Sequence, residues 1–126
     1  MKLLIDTHVL IWWLTDIDQL SRTAADLLDN PDNKVLVSAV SGYEIELKRP
    51  VDSLLQRLPM DFEAALATEG FDWLPISAGD MIAAGRLPRH HRDPWDRILI
   101  AQAQLAALPV LTADTIFETY EVPVLW

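Results

Sequence analysis

The chain has 126 residues, a hydrophobic fraction of 51% and a formal net charge of −9. That length sets a single domain, residues 1–126, as the expectation, and the acidic balance argues against binding nucleic acid by bulk charge. The absence of cysteine excludes disulfides, thiolate metal sites and cysteine nucleophiles.

A chain without cysteine also suits a reducing cytoplasm, the expected location. The opening Met1-Lys2-Leu3-Leu4-Ile5 meets Asp6 too early for a signal peptide. The apolar runs fall well short of the ~20 residues a membrane helix needs, so no membrane partner is expected.

Residues 2–5 read as a short buried strand and residues 8–14 as a helix carrying Trp12 and Trp13. Two adjacent tryptophans should not both face one core from one helix, so one of them is expected to pack against another subunit. Ser21 caps a predicted helix over 22–29, with Ala24, Ala25, Leu27 and Leu28 inward. Asn30-Pro31-Asp32-Asn33 is a turn, and residues 34–37 form a second strand. Ser41 and Glu44 have capping-box spacing and open a predicted helix to about Arg49, ended by Pro50. Residues 51–59 are irregular, with one helical turn at Leu54-Leu55. Residues 61–69 read as a helix stopped by Gly70. Phe71 to Ile76 is a third strand, and Pro75 puts it at an edge. Ser77 caps a helix over 78–86, and 87–92 is a loop. Asp93-Pro94-Trp95-Asp96 then opens a helix with Asp93 at the cap, Pro94 at N1 and Asp96 at N3. Its nearly all-round apolar surface predicts deep burial. Residues 110–112 are a fourth strand, 114–120 a short helix, and 122–125 a final strand. Strands alternate with helices throughout. The expected class is therefore α/β, three layers, with a mainly parallel sheet of about five strands.

Four acids stand out in this frame. Asp6 and Asp114 follow the first and fourth strands, while Glu44 and Asp96 fall in opening turns of predicted helices. In a right-handed α/β layer such junctions converge on one edge of the sheet. Carboxylates gathered there repel one another. At about 4 Å and an effective dielectric near 20, each pair costs about 4 kcal/mol. Unless kept apart, they need a divalent cation or shared protons. The remaining polar groups at the crevice are hydroxyls, Thr7, Ser38 and Thr112. Hard oxygen donors of this kind select Mg²⁺ or Mn²⁺ over zinc, and a pair of such ions suits in-line displacement at a phosphodiester.

Each acid also has a plain structural reading. Asp6, Asp93 and Asp114 can be helix caps, Glu44 the partner of Ser41, and Asp96 a complement to the helix dipole. Arg86, Arg89, Arg92 and Arg97 lie in one short stretch with His90 and His91. They form either a solvated basic loop or a rim that steers phosphates. The three histidines have no His-x-x-x-His spacing and no cysteine partners, so a zinc site is not expected. His8 reads as a residue at a helix start, and His90 and His91 as members of an exposed loop. The chain has no Gly-x-Ser-x-Gly elbow, Walker A loop or Gly-x-Gly-x-x-Gly loop.

These residues resemble the PIN-domain family, in particular the VapC-like toxin ribonucleases of type II toxin–antitoxin modules. The resemblance is carried by Leu4-Ile5-Asp6-Thr7-His8, by Val37 to Ile45, by the run from His91 to Ala103, and by Leu111-Thr112-Ala113-Asp114 with the closing Val122 to Trp126. It implies a parallel sheet flanked by helices on both faces, and an endoribonuclease dependent on Mg²⁺ or Mn²⁺. Asp6, Glu44, Asp96 and Asp114 match the family's four metal-site acids. Asp93 matches a further acid of this subgroup, kept as a cap beside the metal. Thr112 matches a hydroxyl next to the fourth acid, with Ser38 and Thr7 in support. Arg86, Arg89, Arg92 and Arg97 are the expected RNA contacts. The resemblance further implies a cognate antitoxin and a homodimer. Tyr43 stands where tryptophan is frequent, and Pro50 breaks the helix earlier than in many relatives.

Two competing readings remain at this point. One is a catalytically silent PIN-like interaction domain whose acids serve as caps. The other is a phosphoacceptor receiver domain, disfavoured because no lysine follows Lys48.

Overall fold

Leu3, Leu4 and Ile5 are wholly buried, and alternate side chains enter different cores. Leu3 and Ile5 join a cluster with Val9, Leu10, Ile45 and Leu66, whereas Leu4 joins one with Leu99, Ile100 and Phe117. A strand apolar on both faces needs helices on both sides. A computed structural model of residues 1–126 has that arrangement. Strands β1 (Lys2–Ile5), β2 (Lys34–Ser38), β3 (Asp72–Leu74), β4 (Val110–Leu111) and β5 (Val124–Leu125) pair in parallel, in the order β3-β2-β1-β4-β5. The helices are α1 (Thr7–Thr15), α2 (Arg22–Asp29), α3 (Ala39–Lys48), α4 (Phe62–Glu69), α5 (Ala78–Arg86), α6 (Pro94–Ala106) and α7 (Ile116–Thr119). The expected three-layer α/β class with five strands is what the chain adopts.

This order makes the β1/β4 seam the point where the chain reverses direction across the sheet. Loops leaving such neighbouring strands diverge and open a crevice at their carboxyl ends. Ile5 is in register with Leu111, so Asp6 and Thr112 step off side by side, and the Asp6 N–H donates to the Leu111 carbonyl at 3.0 Å.

Local chemistry explains most boundaries. Ser21 accepts from the Ala24 N–H, and Ser77 forms a reciprocal capping box with Asp80. Gly70 takes the left-handed conformation (φ 74°) that ends α4. β3 lies at the sheet edge, as Pro75 predicts.

Several expectations need correction. Helix α3 begins at Ala39, because buried Ser38 ends β2 and caps the next turn itself, accepting from the Val40 N–H at 3.1 Å. Ser41 is therefore inside the helix, its Oγ 2.7 Å from Thr7 Oγ1, and there is no Ser41–Glu44 capping box. Glu44 sits in the second turn, not at a strand–helix junction. α7 is only Ile116–Thr119, since Asp114 forms a tight turn with the Ile116 N–H instead of a cap. α6 is buried all round at its middle, Leu99 to Ala103, but its ends open to solvent, and Leu105 is 61% exposed. Trp12 and Trp13 are both half-buried against the same core cluster. Trp13 Nε1 also donates to Glu69 at 3.0 Å, and Trp12 packs against Trp126.

The irregular segment after α3 is organised by Arg49. Its buried guanidinium donates to the carbonyls of Leu55, Leu58 and Pro59 at 2.8–3.1 Å and pairs with Glu46. This replaces the backbone hydrogen bonds that Pro50 prevents a helix from supplying.

Candidate metal centre

The centre is assembled from four stretches of chain. Asp6 caps α1, accepting from the His8 N–H at 3.4 Å, and is 4% exposed. Its other oxygen accepts from Thr112 Oγ1 at 2.7 Å. Thr112 in turn accepts from the Asp114 N–H at 3.0 Å, so one hydroxyl ties the first acid to the loop bearing the fourth. Glu44, 6% exposed, points from α3 into a cleft shared with Thr7 and His8. Asp93 caps α6, accepting from the N–H groups of Trp95 and Asp96 at 2.9 and 3.3 Å. Asp96 projects from the first turn of that helix.

Electrostatics show that these groups share one field. Burial pushes the Asp6 carboxyl up, and the Asp114 charge adds to that; the Thr112 hydrogen bond opposes it. Burial pushes Asp96 up to about 6; the Asp6 and Asp93 charges add to the rise, and its bond to His91 opposes it. Lys48 Nζ bonds Glu44 Oε2 at 2.5 Å, and its ammonium is pushed up first by that bond and further by Asp93 and Asp96. Glu44, Asp6, Asp93 and Asp96 thus surround one region. Asp114 joins from its exposed loop.

The donor set fits a hard divalent cation. It consists of carboxylate oxygens, and those of Asp6 and Asp96 are held ionised only against desolvation and mutual repulsion. A cation removes that penalty. Asp93 and Asp96 also approach His91, with one ligand atom from each within 4.8 Å of the others.

The hydroxyls and arginines sort differently from expectation. Ser38 is a buried helix cap, and Thr7 is engaged with Ser41. Arg89, Arg92, Arg97 and His91 line one cleft of about 430 Å³. Arg86 lines a different cleft, with Gly79 and Gln104. The Arg97 guanidinium is spent on the carbonyls of Ala84, Leu87, Pro88 and His91 at 2.8–3.1 Å, so it braces the loop between α5 and α6. Arg89 and Arg92 remain exposed. His91 is not a free loop residue, because its ring contacts Asp96. Its sequence position, two residues before Asp93, was the available signal. Lys48 gave no signal beyond its spacing of one helical turn from Glu44.

The sequence matches the PIN domain family over residues 3–122. No curated protein matches it significantly. Among solved structures, it is similar to VapBC2 from Rickettsia felis bound to a promoter DNA fragment, with TM-score 0.73 and 11% identity over 98% of this chain and 97% of that one. A toxin–antitoxin complex from Klebsiella pneumoniae gives TM-score 0.59 and 27% identity over 90% and 87%. FitAcB from Neisseria gonorrhoeae gives 0.66 and 21% over 98% and 96%. With a family match spanning nearly its whole length and this fold, the chain belongs to the PIN-domain family.

Proposed function

We infer that the protein is an endoribonuclease dependent on Mg²⁺ or Mn²⁺, and the toxin of a type II toxin–antitoxin module. The observation that supports this reading is that acids from widely separated parts of the chain feel one another's charge: Asp6 with Asp114 and Asp96, and Glu44 with Asp96 through Lys48. Asp6, Glu44 and Asp96 hold the principal cation, and Asp114 completes a weaker position. When bound, the cation supplies water activation and charge neutralisation for phosphodiester hydrolysis. Thr112 holds Asp6 in orientation through its 2.7 Å bond. Arg89 and Arg92, beside His91 in the basic cleft, bind the RNA backbone. Such local positive charge offsets the repulsion expected from a net charge of −9. The expected protein partner is a cognate antitoxin, a reading supported by the toxin–antitoxin complex among the structural neighbours. The homodimer rests on the family resemblance. No helix is long and apolar enough to cross a membrane, which is compatible with a cytoplasmic place of action.

The test is cleavage of a single-stranded RNA with Mg²⁺ or Mn²⁺ added. Asp6→Asn, shown by circular dichroism to be folded, should lose the metal-dependent activity. Cleavage retained in that variant refutes the assignment. The alternative, a catalytically silent interaction domain, draws on the capping bonds made by Asp6 and Asp93 and on the Lys48–Glu44 pair. It requires that millimolar Mn²⁺ leave thermal stability unchanged.

A further inference from the structure

His91 lies outside the acid set yet touches it. Its Nε2 is 2.7 Å from Asp96 Oδ2, with side chains only 25% and 17% exposed. An ionised carboxylate only accepts, so the imidazole carries the hydrogen on Nε2 and donates. The ring is carried by a braced piece of backbone. The His91 N–H donates to Tyr120 Oη at 2.8 Å, and the His91 carbonyl accepts from Arg97 at 3.0 Å. Tyr120 and Arg97 also both donate to the Pro88 carbonyl, at 2.7 and 3.1 Å. Tyr120 is buried, and His90 packs edge-on against it with ring centroids 5.4 Å apart. The neighbouring helix α6 and the end of α7, 29 positions away, therefore hold the peptide on either side of this one imidazole. Nothing about RNA charge steering needs such a construction.

The geometry points to His91 as a positioning residue of the metal centre: donating Nε2–H to Asp96 Oδ2, it fixes that carboxylate's rotation and presents the other oxygen to the cation. This rests on the reading of Asp96 as a metal ligand. Partners that orient a ligand in this way usually change metal affinity about 10–100-fold when removed.

The test is Mn²⁺ binding to the full chain, followed by electron paramagnetic resonance. His91→Ala should weaken binding about 10–100-fold, with an EDTA-treated thermal transition still cooperative. His91→Gln, whose amide Nε2 reproduces the donor, should recover most of the loss. Echo-modulation spectra of the wild type should show no directly coordinated nitrogen. Wild-type affinity in His91→Ala, alongside loss of binding in Asp96→Asn, overturns this inference alone. A coordinated imidazole nitrogen overturns it too, making His91 a ligand. No Mn²⁺ binding by the wild type overturns both this inference and the metal reading beneath it.

Discussion

Asp96 gives the sharpest energetic consequence of gathering acids at one sheet edge. Its carboxyl is pushed from 3.8 to about 6, by burial first and then by the charges of Asp6 and Asp93, against the opposing bond from His91. The folded protein therefore holds this proton more tightly than the unfolded chain does. Stability from this group is present below the unfolded value and is lost as pH rises through the folded value. A rise of that size corresponds to about 3 kcal/mol; solvent screening at a partly exposed side chain reduces it to about 1–2 kcal/mol. Pairwise repulsion agrees in scale. Asp93 and Asp96 lie within 4.8 Å, where like charges cost about 3.5 kcal/mol at an effective dielectric near 20. Asparagine has the same shape and still accepts from His91, but carries no charge. Asp96→Asn should therefore raise unfolding free energy by about 1–2 kcal/mol at pH 7.5 in EDTA. The gain should shrink toward zero near pH 4, where Asp96 is protonated in the folded state. Urea unfolding followed by tryptophan fluorescence measures both. A variant no more stable at pH 7.5, or equally advantaged at pH 4, refutes the reasoning. Mn²⁺ should reverse the ranking, stabilising the wild type and not the variant.

Other outcomes follow from the same geometry. Mn²⁺ at a hundred times its dissociation constant should stabilise the wild type by about 2.7 kcal/mol, reversibly with EDTA, and Asp6→Asn should abolish that increment in a thermal melt. Arg49→Met strands three carbonyls and Glu46, and should cost about 3 kcal/mol in urea unfolding; a loss below about 1 kcal/mol would mean the 50–59 segment is not held by Arg49. Arg97→Ala should destabilise the fold by about 2 kcal/mol, whereas Arg89→Ala should stay within about 0.5 kcal/mol and weaken RNA binding in a filter assay. Gly70→Ala should cost about 1 kcal/mol by forcing a side chain into the left-handed region, read as a shift in the urea midpoint.

What the sequence made legible was chiefly local. Asp93-Pro94-x-Asp96 declares a helix start because cap, proline and acid act within one turn. Ser21, Ser77 and Gly70 declare boundaries for the same reason. Ser38 and Ser41 show where local reasoning fails. Both stand near the start of the same helix, and Ser41-x-x-Glu44 matches the capping-box spacing. The depth at which β2 ends decides between them, since Ser38 is already buried and its Oγ accepts the free N–H of Val40. Arg97 and His91 were misread because their partners are not neighbours in sequence. The Arg97 carbonyls exist as a cluster only once the 87–92 loop folds, and Tyr120 lies 29 positions from His91. The arginine rim was a composition signal, which does not report direction. Arg86 and Arg89 are three residues apart, yet they line different clefts. Asp6 and Asp114 could be placed at one sheet edge because strand ends in a parallel sheet share one polarity, a global rule that needs no side-chain detail.

The bond between Asp6 and Thr112 spans 106 positions, and it has a consequence for synthesis. A nascent chain carries Asp6 long before Thr112, and no partial product ending before residue 112 can supply the hydroxyl that orients it. Contacts of such sequence separation are late events in folding. The protein is therefore built so that its pocket closes late, only once Thr112 has been made.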